Sequence, residues 1–201
     1  TTFAGTKERY KPIKPEVTEK KKKHPIKTIK ILCSNKYFIL ITLAFAIIYP
    51  SLGLTGGSRI YYAKYVLGNE MINSTMTLFN YIPTILTIML IPIFAKKFGK
   101  IKALFVGFLF YGAGLILEIA GPVNLPMIYG GLVLQGIGHA ALYSCLFAIV
   151  GDVVDYSEWK DGIREEGLTY SVTSFGQKIG TGLGTAALGW ILAAGHYDGT
   201  A

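Results

Sequence analysis

The chain has 201 residues, 51% of them hydrophobic and 16% charged, with a formal net charge of +8. A soluble domain carries about 25% charged residues, so an ordinary water-soluble enzyme with one core is excluded. The charge is also confined: residues 1–37 hold 11 of the 20 Lys and Arg, and the rest of the chain runs as long apolar stretches.

The basic arm comes first. It carries only Phe3, Tyr10 and Tyr37 among its lysines and leads directly into apolar sequence, so no nucleic-acid partner is expected. Glu19-Lys20-Lys21-Lys22-Lys23 reads as a tether. From Pro25 to Phe38, Ile26, Ile29, Leu32 and Cys33 fall at helical spacing with Lys27, Lys30 and Lys36 between them. This pattern predicts a short amphipathic helix on the cytoplasmic membrane surface, its lysines among anionic headgroups; a solvated basic linker is the other reading. Cys33 and Cys145 match no metal spacing and make no disulfide framework. The chain opens Thr1-Thr2-Phe3 without Met and its apolar sequence begins only after the arm. A signal peptide is therefore not expected, and a piece of a longer protein is.

A membrane-crossing helix needs about 20 mainly apolar residues. Five segments meet this, at about 38–63, 77–95, 103–121, 127–150 and 168–194, predicting an all-α membrane protein. The arm, the 96–102 loop and the 151–167 loop hold 11, 4 and 2 basic residues, 17 of the 20. Placing all three in the cytoplasm satisfies the positive-inside rule at the cell membrane and leaves the tail, 196–201, outside.

In the first span, Pro50, Gly53, Gly56 and Gly57 are expected to bend or loosen the helix. Arg59, about one turn from Lys64, reads as snorkelling to the outer surface. Asn80 with Pro83 reads as packing, and Glu118 as lying near an outer end. The fourth span carries Gln135, His139 and Tyr143 at i, i+4 and i+8. That ladder supplies donors, acceptors and an aromatic surface for a polyhydroxylated ligand in a wet cleft. Interhelical hydrogen bonding around one core aromatic is equally open, and His139 could equally carry protons.

Lys178 is the most informative residue. It sits mid-span, where a charge costs a few kcal/mol or more and marks a functional site by default. Ser171, Ser174, Lys178, Thr181 and Thr185 share an arc of about 80°, while Gly176, Gly180 and Gly184 form a stripe for close helix packing on the other side.

Catalytic signatures fail on context. Gly136-Ile137-Gly138 and Gly180-Thr181-Gly182 sit inside apolar helices rather than at strand-to-helix turns. No Ser-His-Asp order, nucleophile elbow or zinc signature appears, so neither an enzyme nor a resident metal or cofactor is expected.

Between the last two spans, Asp152, Asp155, Glu158, Arg164 and Glu165 alternate with Tyr156 and Trp159. Such a cluster can form ion pairs between helix ends that close in one conformation and break in another. An inert solvated loop is the alternative.

The run D-V-V-D-Y-S-E-W-K-x-G-I-R-x-E-G at 152–167, followed by Tyr170-Ser171 and Lys178, closely resembles the glycoside-pentoside-hexuronide:cation symporters. That family includes the melibiose and lactose carriers and has the major facilitator fold. Phe3 to Arg9 is similar to the point where their sixth helix enters the central loop, and Ile60-Tyr61-Tyr62 before Leu67-Gly68 is similar to their seventh helix. Ala95 to Lys100 looks like the facilitator loop between helices eight and nine.

The resemblance implies helices seven to eleven of a twelve-helix fold, with the six N-terminal helices and the last helix absent. It implies sugar or glycoside symport with Na⁺ or H⁺ by alternating access. The partners would be the sugar, the cation, the bilayer and the missing helices. By resemblance, Lys178 lies between the sugar and cation sites, Tyr143 matches an aromatic lining the sugar cavity, and Thr173 and Ser174 match polar residues near the sugar. The acidic cation ligands would lie in the absent half. A non-transporting membrane sensor or assembly module is the alternative.

Overall fold

The computed structural model describes residues 32, 34–161 and 166–197, and among them there is no β-strand. Five helices follow in order: α1 (Lys36–Tyr61), α2 (Ile72–Phe98), α3 (Lys100–Ala120), α4 (Leu125–Asp161) and α5 (Glu166–Ala194). A single π turn, Tyr62–Val66, continues α1. The basic arm, most of the expected surface helix, Arg164, Glu165 and the end of the tail lie outside the described residues. Leu32 and Ser34, both helical, belong to a unit of residues 1–34; the remaining described residues belong to a second unit that begins at Asn35.

Four stretches, Lys36–Val66, Ile72–Phe98, Lys100–Ala120 and Leu125–Lys160, are long and apolar enough to cross a membrane. The fifth helix has the length, 29 residues, which at 1.5 Å each is roughly 43 Å. Its serines, threonines, glycines and Lys178 make it less apolar than the others.

Asn35 sets the start of α1. Its Oδ1 accepts the Tyr37 N–H at 3.0 Å, a standard N-cap, and its Nδ2 donates to Ser157 Oγ at 2.9 Å. Residues 36–38, expected in the surface helix, therefore belong to the first span. α1 stays helical through Pro50 and the glycines after it, and a π turn follows at Tyr62. Gly53 and Gly57 are held against α5, where a methyl would strike the Thr181 backbone and the Leu188 side chain respectively. Between α2 and α3 the chain turns at Gly99, whose φ of 92° only glycine adopts without strain.

The largest departure is α4. Expected to end near 150, it runs on to Asp161, because Val153, Val154 and Ser157 continue its buried face while the acids point outward. The charge of Asp152 and Asp155 reads as a loop in sequence, but one polar stripe does not end a helix.

Small residues position the bundle. α2 and α3 both pack on α4, and α1 packs on α5. On α3, Gly107 and Gly114 are seven apart and meet Gly138 and Gly131 of α4, also seven apart. A methyl at Gly131 would lie 2.7 Å from the Gly114 carbonyl oxygen, and one at Gly138 2.7 Å from that of Gly107. The expected small-residue stripe on α5 packs as well, with Gly180 against Tyr49 and Gly184 against the Pro50 carbonyl; Gly176 meets nothing within 4 Å.

Candidate functional site

The close approach of α3 and α4 decides which polar groups meet. With backbone against backbone at Gly114 and Gly131, a methyl at Gly131 would lie 2.9 Å from Glu118 Cγ, and one at Gly114 2.8 Å from Gln135 Cγ. Glu118 and Gln135 therefore lie on either side of the same contact. Arg59 reaches across from α1, its Nη2 donating to Gln135 Oε1 at 3.1 Å. Gln135 is completely buried. Gln135 Nε2 and Glu118 Oε1 form no standard hydrogen bond although their two side chains interact, and His139 Nε2 is buried without a partner among the described residues. Unpartnered buried groups are uncommon and call for an explanation, of which a ligand is one.

One turn further along α4, the His139 ring lies 5.0 Å from that of Tyr111 and 5.8 Å from that of Tyr143. Two cavities adjoin the cluster. One of about 60 Å³ is walled by Arg59, Asn80, Tyr81, His139 and Tyr143 among others. The other, about 660 Å³, is walled by Arg59, Glu118, Tyr61, Tyr62, Tyr65 and Tyr197 among others. Arg59 and Thr55 belong to both walls. Over the larger cavity, the hydroxyls of Tyr65 and Tyr197 are bonded at 2.6 Å, and the Tyr62 hydroxyl donates to the Pro122 carbonyl.

Gln135, His139 and Tyr143 thus come together, and Arg59 joins them. This corrects the snorkelling reading of Arg59: packing against α4 offers its guanidinium a fixed acceptor, which the outer surface does not. Glu118, in the last turn of α3 as expected, also belongs to the wall of the larger cavity. Asn80 packs as expected, donating to the Leu132 carbonyl at 3.1 Å, and Thr84 donates to the carbonyls of Asn80 and Gly136.

Lys178, Thr173 and Ser174 lie apart from this group. Lys178 is exposed on α5, lines neither cavity, and has no ion pair or hydrogen bond among the described residues. Thr173 is buried, with its hydroxyl donating to the Thr169 and Tyr170 carbonyls of its own helix. Ser174 is half-buried. The hydroxyls of Ser171, Thr181 and Thr185 likewise bond backbone one turn earlier.

At the opposite end of α4, Asp152 Oδ1 pairs with Lys100 Nζ at 2.6 Å, and the same ammonium donates to the Ala148 carbonyl at 3.2 Å. The Tyr37 ring meets Tyr156 edge-on at 4.8 Å, so α1 closes on this end too. Asp155 and Glu158 are exposed on the same stretch of α4; Arg164 and Glu165 lie outside the described residues. The sequence reading missed Lys100 as the partner of Asp152, and Tyr111 beside His139. The usable signal was the paired heptad of glycines, which fixes the register of α3 on α4.

The isoprimeverose transporter of Lactiplantibacillus pentosus is 30% identical over 198 residues, 97% of this chain and 40% of its own length. The glucuronide carrier protein homolog of Escherichia coli (strain K12) is 27% identical over 172 residues, 85% of this chain and 38% of its own. The raffinose carrier protein of Pediococcus pentosaceus is 26% identical over 164 residues, 81% of this chain and 25% of its own. No solved structure matches. The chain therefore spans about two fifths or less of the length of these relatives. With helices apolar enough to cross a membrane several times and a match over residues 1–201, the chain belongs to the MFS/sugar transport protein family.

Proposed function

We propose that the protein containing this chain moves a sugar or glycoside across the cell membrane together with Na⁺ or H⁺, by alternating access between two helical halves. The observation that carries this reading is the Arg59–Gln135–His139 cluster with Tyr111 and Tyr143, set inside an apolar bundle beside a cavity of about 660 Å³. Directional polar groups with aromatic walls are what a polyhydroxylated ligand needs once it leaves water. The names of the relatives, carriers of isoprimeverose, raffinose and a glucuronide, point to the same ligand class.

Within this reading the chain supplies one half of the pathway. Gln135, His139 and Tyr143 would contact the sugar, and the exposed face of α5 around Lys178, flanked by the half-buried Ser174, would meet the other half; Thr173 is buried behind that face. The ligands of the coupling cation would lie mainly in that other half. The Lys100–Asp152 pair, with Asp155, Glu158, Arg164 and Glu165, would gate the side that is cytoplasmic in this reading, to which the basic arm is assigned by its charge. The test is counterflow: vesicles with the full-length protein, preloaded with an unlabelled glycoside, should transiently concentrate the labelled one. A membrane sensor or assembly module would give no exchange above protein-free vesicles for any glycoside, and that result would refute transport.

A further inference from the structure

We propose that Tyr197, just past the end of α5, is a strap that closes the cavity of about 660 Å³ against Tyr61 and Tyr65 at the end of α1, and that its release opens that side of the pathway. The inference rests on the transport reading above and adds a moving part to it.

The first ground is where the two helices part. Deeper in the pair, α1 and α5 touch backbone to backbone: a methyl at Gly53 would lie 2.3 Å from the Thr181 carbonyl oxygen. At Gly57 the contact is with the tip of the Leu188 side chain, 2.8 Å from an added methyl. From there both helices face the cavity, Leu188 and Leu192 on one side and Tyr61, Tyr62 and Tyr65 on the other. Tyr197 then crosses back to α1. Its hydroxyl lies 2.6 Å from that of Tyr65, and its ring meets those of Tyr61 and Tyr65 edge-on at 5.6 and 5.4 Å.

The second ground is that one side of this contact is anchored and the other is strained. The π turn Tyr62–Val66 is closed by the Leu67 N–H on the Tyr62 carbonyl at 3.1 Å. Within it the Tyr62 hydroxyl donates to the Pro122 carbonyl, Ala63 is fully buried with Met76, Ile128 and Leu132, and Lys64 pairs with Glu70 at 3.2 Å. Tyr61 and Tyr65 therefore offer a fixed seat. On the other side, α5 ends with the Tyr197 N–H on the Leu192 carbonyl at 3.0 Å and the His196 N–H on the Ala193 carbonyl at 3.1 Å. That paired cap needs a left-handed residue, normally glycine, and His196 fills it with φ 54°. A histidine takes this conformation at a cost that glycine avoids.

The third ground is balance and position. Tyr65 and Tyr197 are 45% and 38% exposed, so deep burial does not secure the strap. The strain at His196 is of the same order as one edge-on aromatic contact, so opening recovers part of what it loses. Arg59 stands roughly 9 Å from Tyr65 along α1, in the wall shared with the small cavity of His139 and Tyr143. The strap thus lies between the end of the bundle and the polar cluster.

The test is glycoside counterflow by the full-length protein in vesicles, with Tyr65→Cys and Tyr197→Cys combined and the two thiols joined by a short bis-methanethiosulfonate. Joining them should slow exchange about tenfold or more, and dithiothreitol should restore it. Each single-cysteine variant, treated in the same way, should stay within about twofold of its untreated rate. Exchange within twofold after joining would overturn the strap and leave transport standing, and thiols that do not join would overturn the placement of Tyr197. No exchange by the wild-type protein would overturn the transport reading and the strap with it. Where the paired variant does not fold, Ser58→Cys in the cavity wall serves as a reporter. Its labelling by a membrane-impermeant maleimide, read at position 58 by peptide mass spectrometry, should be about threefold or more faster when Tyr197→Ala is added. An unchanged labelling rate would overturn the proposal.

Discussion

Arg59 and Gln135, 76 positions apart, are joined by a 3.1 Å hydrogen bond that ties the first helix to the fourth. The bond fixes an otherwise mobile guanidinium beside the buried His139, and it depends on the glycine contacts that set α3 on α4. Packing and hydrogen bonding are therefore linked in one place.

The packing link makes the first prediction. Gly131→Ala puts a methyl 2.7 Å from the Gly114 carbonyl oxygen and 2.9 Å from Glu118 Cγ. Overpacking of this kind costs about 1–3 kcal/mol. A lower Tm is expected, together with weaker ligand-induced stabilisation. Gly112→Ala is the control, since a methyl there meets nothing within 4 Å and should leave Tm unchanged or raise it.

The gate is tested by a double-mutant cycle on Lys100→Ala and Asp152→Asn. The two side chains are 38% and 56% exposed, so the pair is worth roughly 0.2–1 kcal/mol at equilibrium. Each single variant should change turnover more than sugar affinity, and the double variant should change it by less than the product of the singles. Multiplicative effects on turnover would show that the pair does not act as a unit. A large loss of equilibrium sugar binding would move Asp152 into the binding site.

Lys178→Ala should abolish ion-coupled accumulation and leave membrane insertion intact, because removing a charge from a span makes insertion easier. Lys178 has no partner among the described residues, so an acidic group beyond them is expected to pair with it in the whole protein. Neutralising that acid as well should restore stability more than coupling. Accumulation at the wild-type level with unchanged ion dependence would make Lys178 a structural residue.

Much of the helical order is legible from apolar run length alone, and the Gly180 and Gly184 contact with α1 follows from their four-residue spacing. The inward course of Arg59 is not. Its distance to the helix end suggests the outer surface, whereas its partner is supplied by a helix seventy residues on, which no local pattern reports. The seven-residue glycine spacing in α3 and α4 carries that register, but it becomes informative only when the two helices are read against each other. The end of α4 is misread for the opposite reason: Asp152 and Asp155 dominate the local pattern, while Val153, Val154 and Ser157 carry the buried face. The ladder of Gln135, His139 and Tyr143 is visible because all three lie on one helix.

The central claim, coupled transport, is tested most directly by labelled-glycoside uptake into vesicles holding the full-length protein, with an inward Na⁺ or H⁺ gradient imposed or absent. The expected result is accumulation above the external concentration under one of the two gradients, collapsing when an ionophore dissipates it. Uptake that only equilibrates under both gradients, or no uptake above protein-free vesicles, would contradict it.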